Sequence, residues 1–592
     1  MKDFLKYVLA TVVGVLLVGF ITGLFMLVSL VGMAFAQSDT VPIADNSVLV
    51  LKLSGSLKER ASDDIVSSLM GDHVPEVGLS TLTEAIHKAK ENGKIKGIYI
   101  EAGAFIPDSY ASLAAIRREL EDFRKSGKWI VAYGDSYTQG TYYLSSVADK
   151  VYLNPQGQLD WHGLGAEPVF VKDLLAKLNV RMQVAKVGAY KSATEMFTGD
   201  KMSDADRKQT TAYLTGVWQN VVDAVGKSRK LSSAQLNSYA DSLITLAAPQ
   251  DYVRLRMIDG LLYTDQMRQM VKKRLGLGAD DDIPQVDPED LLADDSTTDT
   301  AGDEVAVYYA VGEIVDGMAA MPSRESVIDA QKVCADLESL ARDKSVKAVV
   351  LRVNSPGGSA YASEQIWHQV MELKKVKPVV VSMGSYAASG GYYISCPANW
   401  IVAEPTTLTG SIGIFGMFPD ASGLLKEKLG LKFDEVKTNK YALFGTMSRP
   451  FSADEMAHLE SYIDRGYKLF RQRVADGRKL KVDQVEQVAQ GHVWLGQAAI
   501  KIGLVDELGG VDAALRKAAK LAKLSKWHTA TYPELPDYLS QLLGLQEAAQ
   551  SDYLDEQLRQ SLGIYYEPFA MIRDLNAQNP VQARLPFEPN IH

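Results

Sequence analysis

The chain has 592 residues, a formal net charge of −10 and 46 % hydrophobic residues. This length exceeds what one hydrophobic core usually organises, so we expect several domains. The acidic charge and the lack of basic stretches interleaved with aromatic residues exclude a typical nucleic-acid-binding protein. The two cysteines, Cys334 and Cys396, are too few for a disulfide framework, and they argue against a cysteine-based metal site.

The N-terminus predicts a membrane anchor. No charged residue lies between Lys6 and Asp39, and a bilayer span needs only ~20 apolar residues. Lys2 and Lys6 precede this run and Asp39 follows it, which favours a cytoplasmic N-terminus and a chain body outside the cytoplasm. Residues 34–36, Ala-Phe-Ala, are typical of a signal-peptidase site, but the run is about twice as long as the ~7–15-residue core of a cleaved signal. We therefore expect an uncleaved anchor over residues 1–40, with a long secretory signal as the alternative.

After the anchor, short apolar runs alternate with an amphipathic helix. Leu113, Ile116, Leu120 and Phe123 recur at the spacing of one helix face. Apolar runs predict strands over residues 47–53, 97–100, 129–133 and 150–153. Strands that alternate with helices predict an α/β fold with repeated βαβ units and a mainly parallel sheet. We assign residues 46–275 to this first domain.

An acidic stretch follows the first domain. Residues 280–304 contain many aspartates and glutamates, two prolines and no basic residue. This composition predicts a self-repelling linker over residues 276–304. A calcium site is the lesser alternative, because the stretch lacks the EF-hand spacing with its central glycine.

The alternation of strands and helices resumes after the linker. Ile366, Val370 and Leu373 lie on one face of a predicted helix. Strands are predicted over residues 305–309, 348–351, 379–381 and 400–402. We assign residues 305–530 to a second domain, and residues 531–592 to a peripheral tail with only short amphipathic stretches.

The two domains contain the same segment. The second reads GSYAASGGYYIS from Gly384, and the first reads GDSYTQGTYYLS from Gly134, at an offset of 389 − 139 = 250 residues. Ser389, a candidate nucleophile, corresponds to Gln139 in the first copy. The sequence therefore predicts a tandem duplication in which only one copy retains the serine.

Three features of the second copy are candidates for an acyl-transfer site. Gly357 and Gly358 lie at a strand-to-helix turn, where backbone N–H groups can stabilise an oxyanion; a plain tight turn would explain them equally well. Ser389 precedes a short helix and could be an ordinary N-cap, although small neighbours leave room for a substrate backbone. Ser411 is able to bond a catalytic amine or to serve as a turn hydroxyl.

A serine nucleophile needs a base, and no histidine of the second copy has a site-like context. His368 lies within a predicted helix and His492 in a late segment. A lysine can replace histidine if burial makes it neutral, since desolvation can lower its pKa by up to 3–5 units. Lys191 has small and apolar neighbours and corresponds to Ala442 in the second copy. The lysine of one copy and the serine of the other predict one active site split across the duplication, although Lys191 alone would be read as a surface residue.

Together these segments resemble the long, duplicated form of the signal peptide peptidase A (SppA) family of membrane-anchored bacterial serine proteases. The segments that carry the resemblance are 354–358, 388–393, 409–413, 190–193 and 503–510. The resemblance implies tandem ClpP/crotonase-like domains built from repeated ββα units. It also implies a Ser-Lys mechanism without metal or cofactor.

The resemblance further implies a role for each site residue. Ser389 would be the nucleophile, Lys191 the general base and Ser411 a residue that orients the lysine, while Gly357 and Gly358 would form the oxyanion hole. It implies a homotetramer on the outer, periplasmic side of the bacterial inner membrane, held by one span per chain. Its substrates would be cleaved signal peptides and other hydrophobic peptides.

Two other functions remain open at this stage. A crotonase-type acyl-CoA enzyme would share the fold, but the predicted anchor and the absence of a glutamate near Gly357 argue against it. A non-catalytic membrane scaffold is disfavoured by the presence of both Ser389 and Lys191. The sequence leaves open whether these two residues meet within one chain or between neighbouring chains.

Overall fold

The computed structural model describes residues 6–7, 14, 17–22, 42–61, 75–293, 302–317, 327–535 and 581–585. The predicted anchor over residues 1–40 lies mainly outside these ranges. Among the helices of the described part, none is long and apolar enough to cross a bilayer. The anchor therefore stays a prediction from the sequence.

Strands and helices alternate along the described chain. The strands are β1 Ser47–Lys58, β2 Glu76–Gly78, β3 Ile95–Ile106, β4 Trp129–Tyr137, β5 Lys150–Leu159, β6 Arg181–Lys186, β7 Gly260–Leu261, β8 Gln285–Val286, β9 Asp303–Val311, β10 Glu313–Val315, β11 Val327–Asp329, β12 Val346–Ser355, β13 Gly357–Ser359, β14 Val379–Ala388, β15 Trp400–Ala403, β16 Leu408–Gly410, β17 Phe415–Asp420, β18 Val493–Leu495, β19 Glu507–Leu508, β20 Trp527–Tyr532 and β21 Val581–Arg584. The helices are α1 Leu79–Glu91, α2 Tyr110–Arg124, α3 Gln139–Ser145, α4 Lys172–Lys177, α5 Glu195–Thr198, α6 Asp204–Arg229, α7 Ser233–Asp241, α8 Pro249–Arg254, α9 Thr264–Leu275, α10 Pro288–Ala293, α11 Ala330–Arg342, α12 Ala360–Val376, α13 Gly390–Ser395, α14 Ala453–Arg478, α15 Val482–Val488, α16 Gly496–Ala499 and α17 Val511–Leu521.

The first copy is built on a seven-stranded sheet in the order β2-β1-β3-β4-β5-β7, with β8 beside β1. Every pair of neighbouring strands in it is parallel. Both faces are covered, as parallel sheets require: Val48 packs beside Met267 of α9, and Leu49 points into the core on the other face. The predicted strands and the helix with Leu113 and Phe123 are confirmed as β1, β3, β4, β5 and α2.

The predicted acidic linker is only partly a linker. Gln285 and Val286 form β8 and pair with β1. Leu291 of α10 is buried in the core of the first copy, and Lys52 forms an ion pair with Asp287 at 3.1 Å. Apolar residues between the acidic ones thus pack residues 285–293 against the first copy. The charge pattern alone did not indicate this packing.

The second copy repeats the architecture in an eight-stranded sheet. Its order is β18-β16-β14-β12-β9-β20, with β15 joined to β14 and β19. All neighbouring pairs are parallel except β16 and β18. Ile366, Val370 and Leu373 of α12 are buried against it, as their spacing predicts. The mainly parallel α/β duplication is therefore confirmed.

A third sheet joins the two copies. Its six strands follow the order β11-β10-β13-β21-β17-β6, so β6 of the first copy pairs antiparallel with β17 of the second. Residues 581–585 fall within the predicted peripheral tail, but Ala583 and Leu585 are buried and β21 lies in the middle of this sheet. For this short segment the prediction of a peripheral position is wrong, because its backbone pairs with β13 on one side and with β17 on the other.

Candidate active site

Ser389 lies where β14 ends and α13 begins, in an unusual backbone conformation. Its φ of 55° and ψ of −114° place a non-glycine residue in a region that costs of order 1–3 kcal/mol. Its N–H donates to the Gly410 carbonyl at 2.8 Å, and its own carbonyl accepts from the Tyr393 N–H at 2.8 Å. Its side chain makes no capping hydrogen bond. Ser389 therefore occupies the N-cap position without capping the helix through its side chain, and its hydroxyl is left for another partner.

That partner is Lys191 of the first copy. The Lys191 Nζ atom lies 2.7 Å from Ser389 Oγ and 3.0 Å from Ser411 Oγ, and it donates to the Ser411 carbonyl at 3.2 Å. All three side chains are fully buried. Lys191 is thus not a surface residue, and the three residues meet within one chain across the boundary between the copies.

Burial sets the protonation of the lysine. Desolvation lowers the pKa of Lys191 well below its ordinary value of 10.5, because a buried ammonium loses its hydration. The polar atoms within hydrogen-bonding distance of Nζ belong to serines and carry no charge. The arrangement favours a neutral amine whose lone pair can accept the serine proton.

A loop of the second copy holds the lysine segment in place. The Tyr190 N–H donates to the Gln490 carbonyl at 3.0 Å, and the Ser411 N–H donates to the His492 carbonyl at 2.8 Å. Gly491 has a φ of 79°, and a Cβ there would lie 2.6 Å from the Lys191 backbone nitrogen. Only glycine allows this close approach, so residues 490–492 support both Lys191 and Ser411.

Gln209 of α6 is a further support that the sequence did not reveal. Its amide nitrogen donates to the Tyr190 carbonyl at 3.1 Å and to Ser192 Oγ at 3.1 Å. Its amide oxygen accepts from the Val493 N–H of the second copy at 3.2 Å. Ser192 Oγ in turn donates to Asp206 at 2.6 Å. A buried glutamine within a long helix carries no sequence signal for this role, since the contacts come from residues far along the chain.

The predicted oxyanion turn lies beside Ser389. Gly357 has a φ of 109°, and a Cβ on it would lie 2.9 Å from the Gly390 nitrogen and 2.0 Å from the Ala583 carbonyl oxygen. Gly358 has a φ of 151° and pairs with Ile314 of β10. The Gly357 N–H donates to Ser355 Oγ at 3.2 Å. An oxyanion bound through Gly357 would therefore replace this internal hydrogen bond.

Comparisons with known proteins place the sequence of this chain in a family. The sequence model of Peptidase family S49 matches residues 122–278 and 371–525, once in each copy, and that of Clp protease matches residues 320–400. The chain is 36 % identical to "Protease 4" of Salmonella typhi over 87 % of this chain and 84 % of that protein. The chain belongs to peptidase family S49. It is also 35 % identical to "Protease 4" of Haemophilus influenzae, over 86 % of this chain and 84 % of that protein, and 31 % identical to "Serine protease SPPA, chloroplastic" of Arabidopsis thaliana, over 84 % and 73 %.

The two S49 copies have diverged at the positions of the serine and the lysine. Gln139, which corresponds to Ser389, is buried and donates to Tyr110 Oη at 3.0 Å and to the Gly163 carbonyl at 3.2 Å. Its oxygen accepts from the Gly163 N–H at 3.0 Å. Ala442, which corresponds to Lys191, is exposed. Gln139 thus has a structural role in the first copy, and in the described residues the bonded serine–lysine pair at these positions is Ser389 with Lys191.

The imidazole rings of His368 and His492 contact residues other than Lys191 and Ser389. The His492 ring contacts Tyr190, with 4.3 Å between ring centroids, and Trp494, with 3.9 Å. Burial lowers the pKa of His492 to about 4, so its ring is a neutral packing element. His368 projects largely to solvent from α12 beside Glu372, as its position in the predicted helix indicates.

One group of side chains could hold a metal ion. Ligand atoms of His87, Glu119 and Asp512 lie within 4.8 Å of one another. They belong to α1, α2 and α17 and include neither the serine nor the lysine of the S49 site.

Proposed function

We propose that this chain is a serine endopeptidase in which Ser389 is the nucleophile and Lys191 the general base. The observation that carries the proposal is the distance of 2.7 Å between Lys191 Nζ and Ser389 Oγ, in surroundings that lower the pKa of the lysine. This separation lies within the ~2.6–3.2 Å that a nucleophile and its base need. Membership in a peptidase family and the similarity to two proteins named as proteases support a serine protease.

The proposed mechanism uses residues of both copies. Neutral Lys191 takes the Ser389 proton while the serine oxygen attacks the scissile carbonyl. Backbone N–H groups of the Gly357–Gly358 turn stabilise the oxyanion, a contribution often worth about 3–4 kcal/mol per donor. Ser411 restrains the amine through its hydroxyl at 3.0 Å. Lys191 then protonates the leaving amine, and water hydrolyses the acyl-enzyme by the same path.

The proposed substrates are hydrophobic peptides at a membrane, including cleaved signal peptides. The support is the long uncharged N-terminal run, the resemblance to the SppA family, and a relative named "Putative signal peptide peptidase SppA". We also propose a single-pass anchor in the bacterial inner membrane, a periplasmic body and a homotetramer. Alkaline carbonate extraction of membranes and cross-linking in detergent test these points; a chain that is extracted from membranes without detergent would contradict the anchor.

Peptide hydrolysis by the full chain tests the proposed dyad. We expect Ser389→Ala and Lys191→Met each to lower kcat by about 10⁴-fold or more, because a nucleophile and its base act as one unit. Ser395→Ala is the control for the serine, since Ser395 is also buried, on the adjoining helix α13, and its hydroxyl bonds only the Gly391 carbonyl. Lys177→Met, at an exposed lysine, is the control for the lysine.

A serine-reactive fluorophosphonate distinguishes this function from the alternatives. The probe should label the wild type at Ser389 and leave Ser389→Ala unlabelled, as identified by peptide mass. A Ser389→Ala chain that hydrolyses the peptide at the wild-type rate would remove Ser389 as the nucleophile. A wild type that neither hydrolyses the peptide nor takes the label would reopen the acyl-CoA enzyme and the scaffold.

A further inference from the structure

His87, Glu119 and Asp512 lie together on the boundary between the two copies. His87 belongs to α1 and Glu119 to α2 of the first copy, whereas Asp512 lies in the first turn of α17 of the second. One ligand atom from each of the three side chains lies within 4.8 Å of the other two. Three helices thus bring one imidazole and two carboxylates, all of them groups that ligate metals, to a single point.

Glu119 is buried without a partner outside this group. Its side chain is only 9 % exposed, and a buried carboxylate is costly unless it is paired or binds a metal. Within the described part of the chain it accepts no hydrogen bond, and its one ion-pair contact is His87 Nδ1 at 3.8 Å. That distance is too long for a hydrogen bond, so the buried carboxylate still needs a cation.

A direct ion pair between the same two helices is much shorter. One turn further along α1 and α2, Lys90 Nζ lies 2.7 Å from Asp122. Two ligand atoms on one zinc ion lie about 3.4 Å apart, because each bond is ~2.0–2.2 Å long and the bonds point to the corners of a tetrahedron. The 3.8 Å between His87 and Glu119 is therefore closer to the separation across an ion than to that of a direct contact. Separations of up to 4.8 Å elsewhere in the group would shorten by about 1 Å on binding.

Contacts between the copies hold Asp512 against α2. Arg118, the residue before Glu119, forms a bidentate pair with Glu404 of the second copy at 2.7 and 2.8 Å. A Cβ on Gly510 would lie 2.0 Å from Arg118 Nη2, so this guanidinium packs directly on the backbone at the start of α17. Asp512 follows two residues later. An existing interface therefore places the carboxylate of the second copy beside the two ligands of the first.

We propose that His87, Glu119 and Asp512 bind a zinc ion that joins the two copies. One imidazole nitrogen and two carboxylate oxygens suit Zn²⁺ and leave its fourth position to water. The imidazole disfavours Ca²⁺ and Mg²⁺, which prefer oxygen ligands. Half of the His87 side chain is exposed, which gives the ion a path from solvent. An ion bound here neutralises two carboxylates and stabilises the contact between the copies, since a ligand of the folded chain alone raises its stability.

Calorimetric titration of Zn²⁺ into the untagged, chelator-treated full chain in detergent tests the site. We expect saturable binding of one ion per chain. His87→Gln and Asp512→Asn should each raise the Kd by about 100-fold or more, since loss of even an outer-shell partner of a metal costs about 10- to 100-fold. Asp122→Asn is the matched control, because it removes a carboxylate from the same helix pair one turn away. His162→Gln, at an exposed histidine 2.8 Å from Asp160, is the control for the imidazole, and both controls should bind as the wild type does.

Urea unfolding followed by tryptophan fluorescence tests the link between the copies. Zn²⁺ should raise the unfolding midpoint of the wild type and of Asp122→Asn, because it binds the folded chain. The midpoint of Asp512→Asn should not change with Zn²⁺. The metal-free curves of the same proteins show that each variant folds, so a weaker titration reports the lost ligand.

Four results would overturn the proposal. The first is a wild type without saturable zinc binding, and the second is a Kd that neither His87→Gln nor Asp512→Asn changes, which would place the zinc at another surface. Tighter binding of Ca²⁺ than of Zn²⁺ would overturn the assignment of the ion. A Kd that only Asp512→Asn leaves unchanged would confine the ion to the first copy and overturn the link. None of these measurements depends on catalysis, so their outcome is independent of the proposed function.

Discussion

At the scale of single residues, the site depends on burying a lysine without a counter-charge. Lys191 is fully buried and is surrounded by hydroxyl and carbonyl oxygens of serines. A charged ammonium would lose its hydration there, so the fold stabilises the neutral amine. This burial lowers the pKa of Lys191, which would allow it to act as the general base that we propose.

This burial predicts a pH dependence of stability that belongs to Lys191. The pKa of Lys191 is lowered from 10.5, so between the two values the unfolded chain binds one proton more than the folded chain. Stability therefore rises with pH in this window, by up to about 1.36 kcal/mol per unit, and is lost as pH falls through it. Lys191→Met should remove this slope from urea unfolding curves, while Lys177→Met should keep it. Equal slopes for wild type and Lys191→Met would contradict a lowered pKa.

The sequence identified the proposed catalytic residues through the duplication and through the family resemblance. Ser389 and Lys191 are each unremarkable in isolation, and the comparison with Gln139 and Ala442 and the motifs shared with the SppA family distinguished them. Gln209 has no such counterpart signal, because its role comes from contacts with Tyr190 and Val493 that only the folded chain brings together. Sequence patterns therefore indicate which side chains could react. They do not indicate which side chains position them.

At the scale of secondary-structure elements, long apolar runs were predictable and short strands were not. The strands β1, β3, β12 and β14 are each ten or more residues long and have strong hydrophobic patterns. β6, β13, β17 and β21 have between three and six residues, and they pair with strands far away along the chain. Periodicity cannot identify such partners, so the third sheet, which frames the site, was missed.

Helix α6 acts on the site through Gln209, which is a positioning residue. Gln209→Ala removes the hydrogen bonds that tie the Lys191 segment to β18, and we expect about a 10- to 100-fold lower kcat, since a shift of about 1 Å can have this effect. The apparent pKa in the pH–rate profile should rise toward the ordinary lysine value, because a displaced amine is better hydrated. Gln219→Ala, at an exposed site on the same helix, should change neither quantity. An unchanged pH profile for Gln209→Ala would assign Gln209 a purely structural role.

At the scale of the whole molecule, the two copies form one functional unit. The first copy contributes Lys191 and β6, and the second contributes Ser389, Ser411 and the glycine turn. Buried contacts secure the boundary: Arg118 forms a bidentate pair with Glu404 at 2.7 and 2.8 Å. Relative movement of the copies would separate the Lys191 amine from the Ser389 hydroxyl, so the interface between them is part of the proposed catalytic geometry.

The dependence of the site on the interface between the two copies can be tested at the buried ion pair of Glu59 and Arg352. Arg352 of the second copy lies 2.8 Å from Glu59 of the first, with both side chains almost wholly buried. Arg352→Met leaves the carboxylate of Glu59 without its partner, and we expect a loss of about 3–5 kcal/mol in the free energy of unfolding. Arg124→Met breaks a partly exposed pair with Asp149 within the first copy and should lose less than about 1 kcal/mol.

A double-mutant cycle separates the pair from its surroundings. Glu59→Met together with Arg352→Met should recover most of the lost stability, since replacing both members of a buried pair with apolar groups is often close to neutral. For Arg352→Met we expect the urea concentration that abolishes peptide hydrolysis to be lower than the urea concentration that changes the tryptophan fluorescence. The reason is that separation of the copies splits the site before either core unfolds. If activity and fluorescence are lost together in this variant, the boundary between the copies is not the weak point, and the two cores unfold as one.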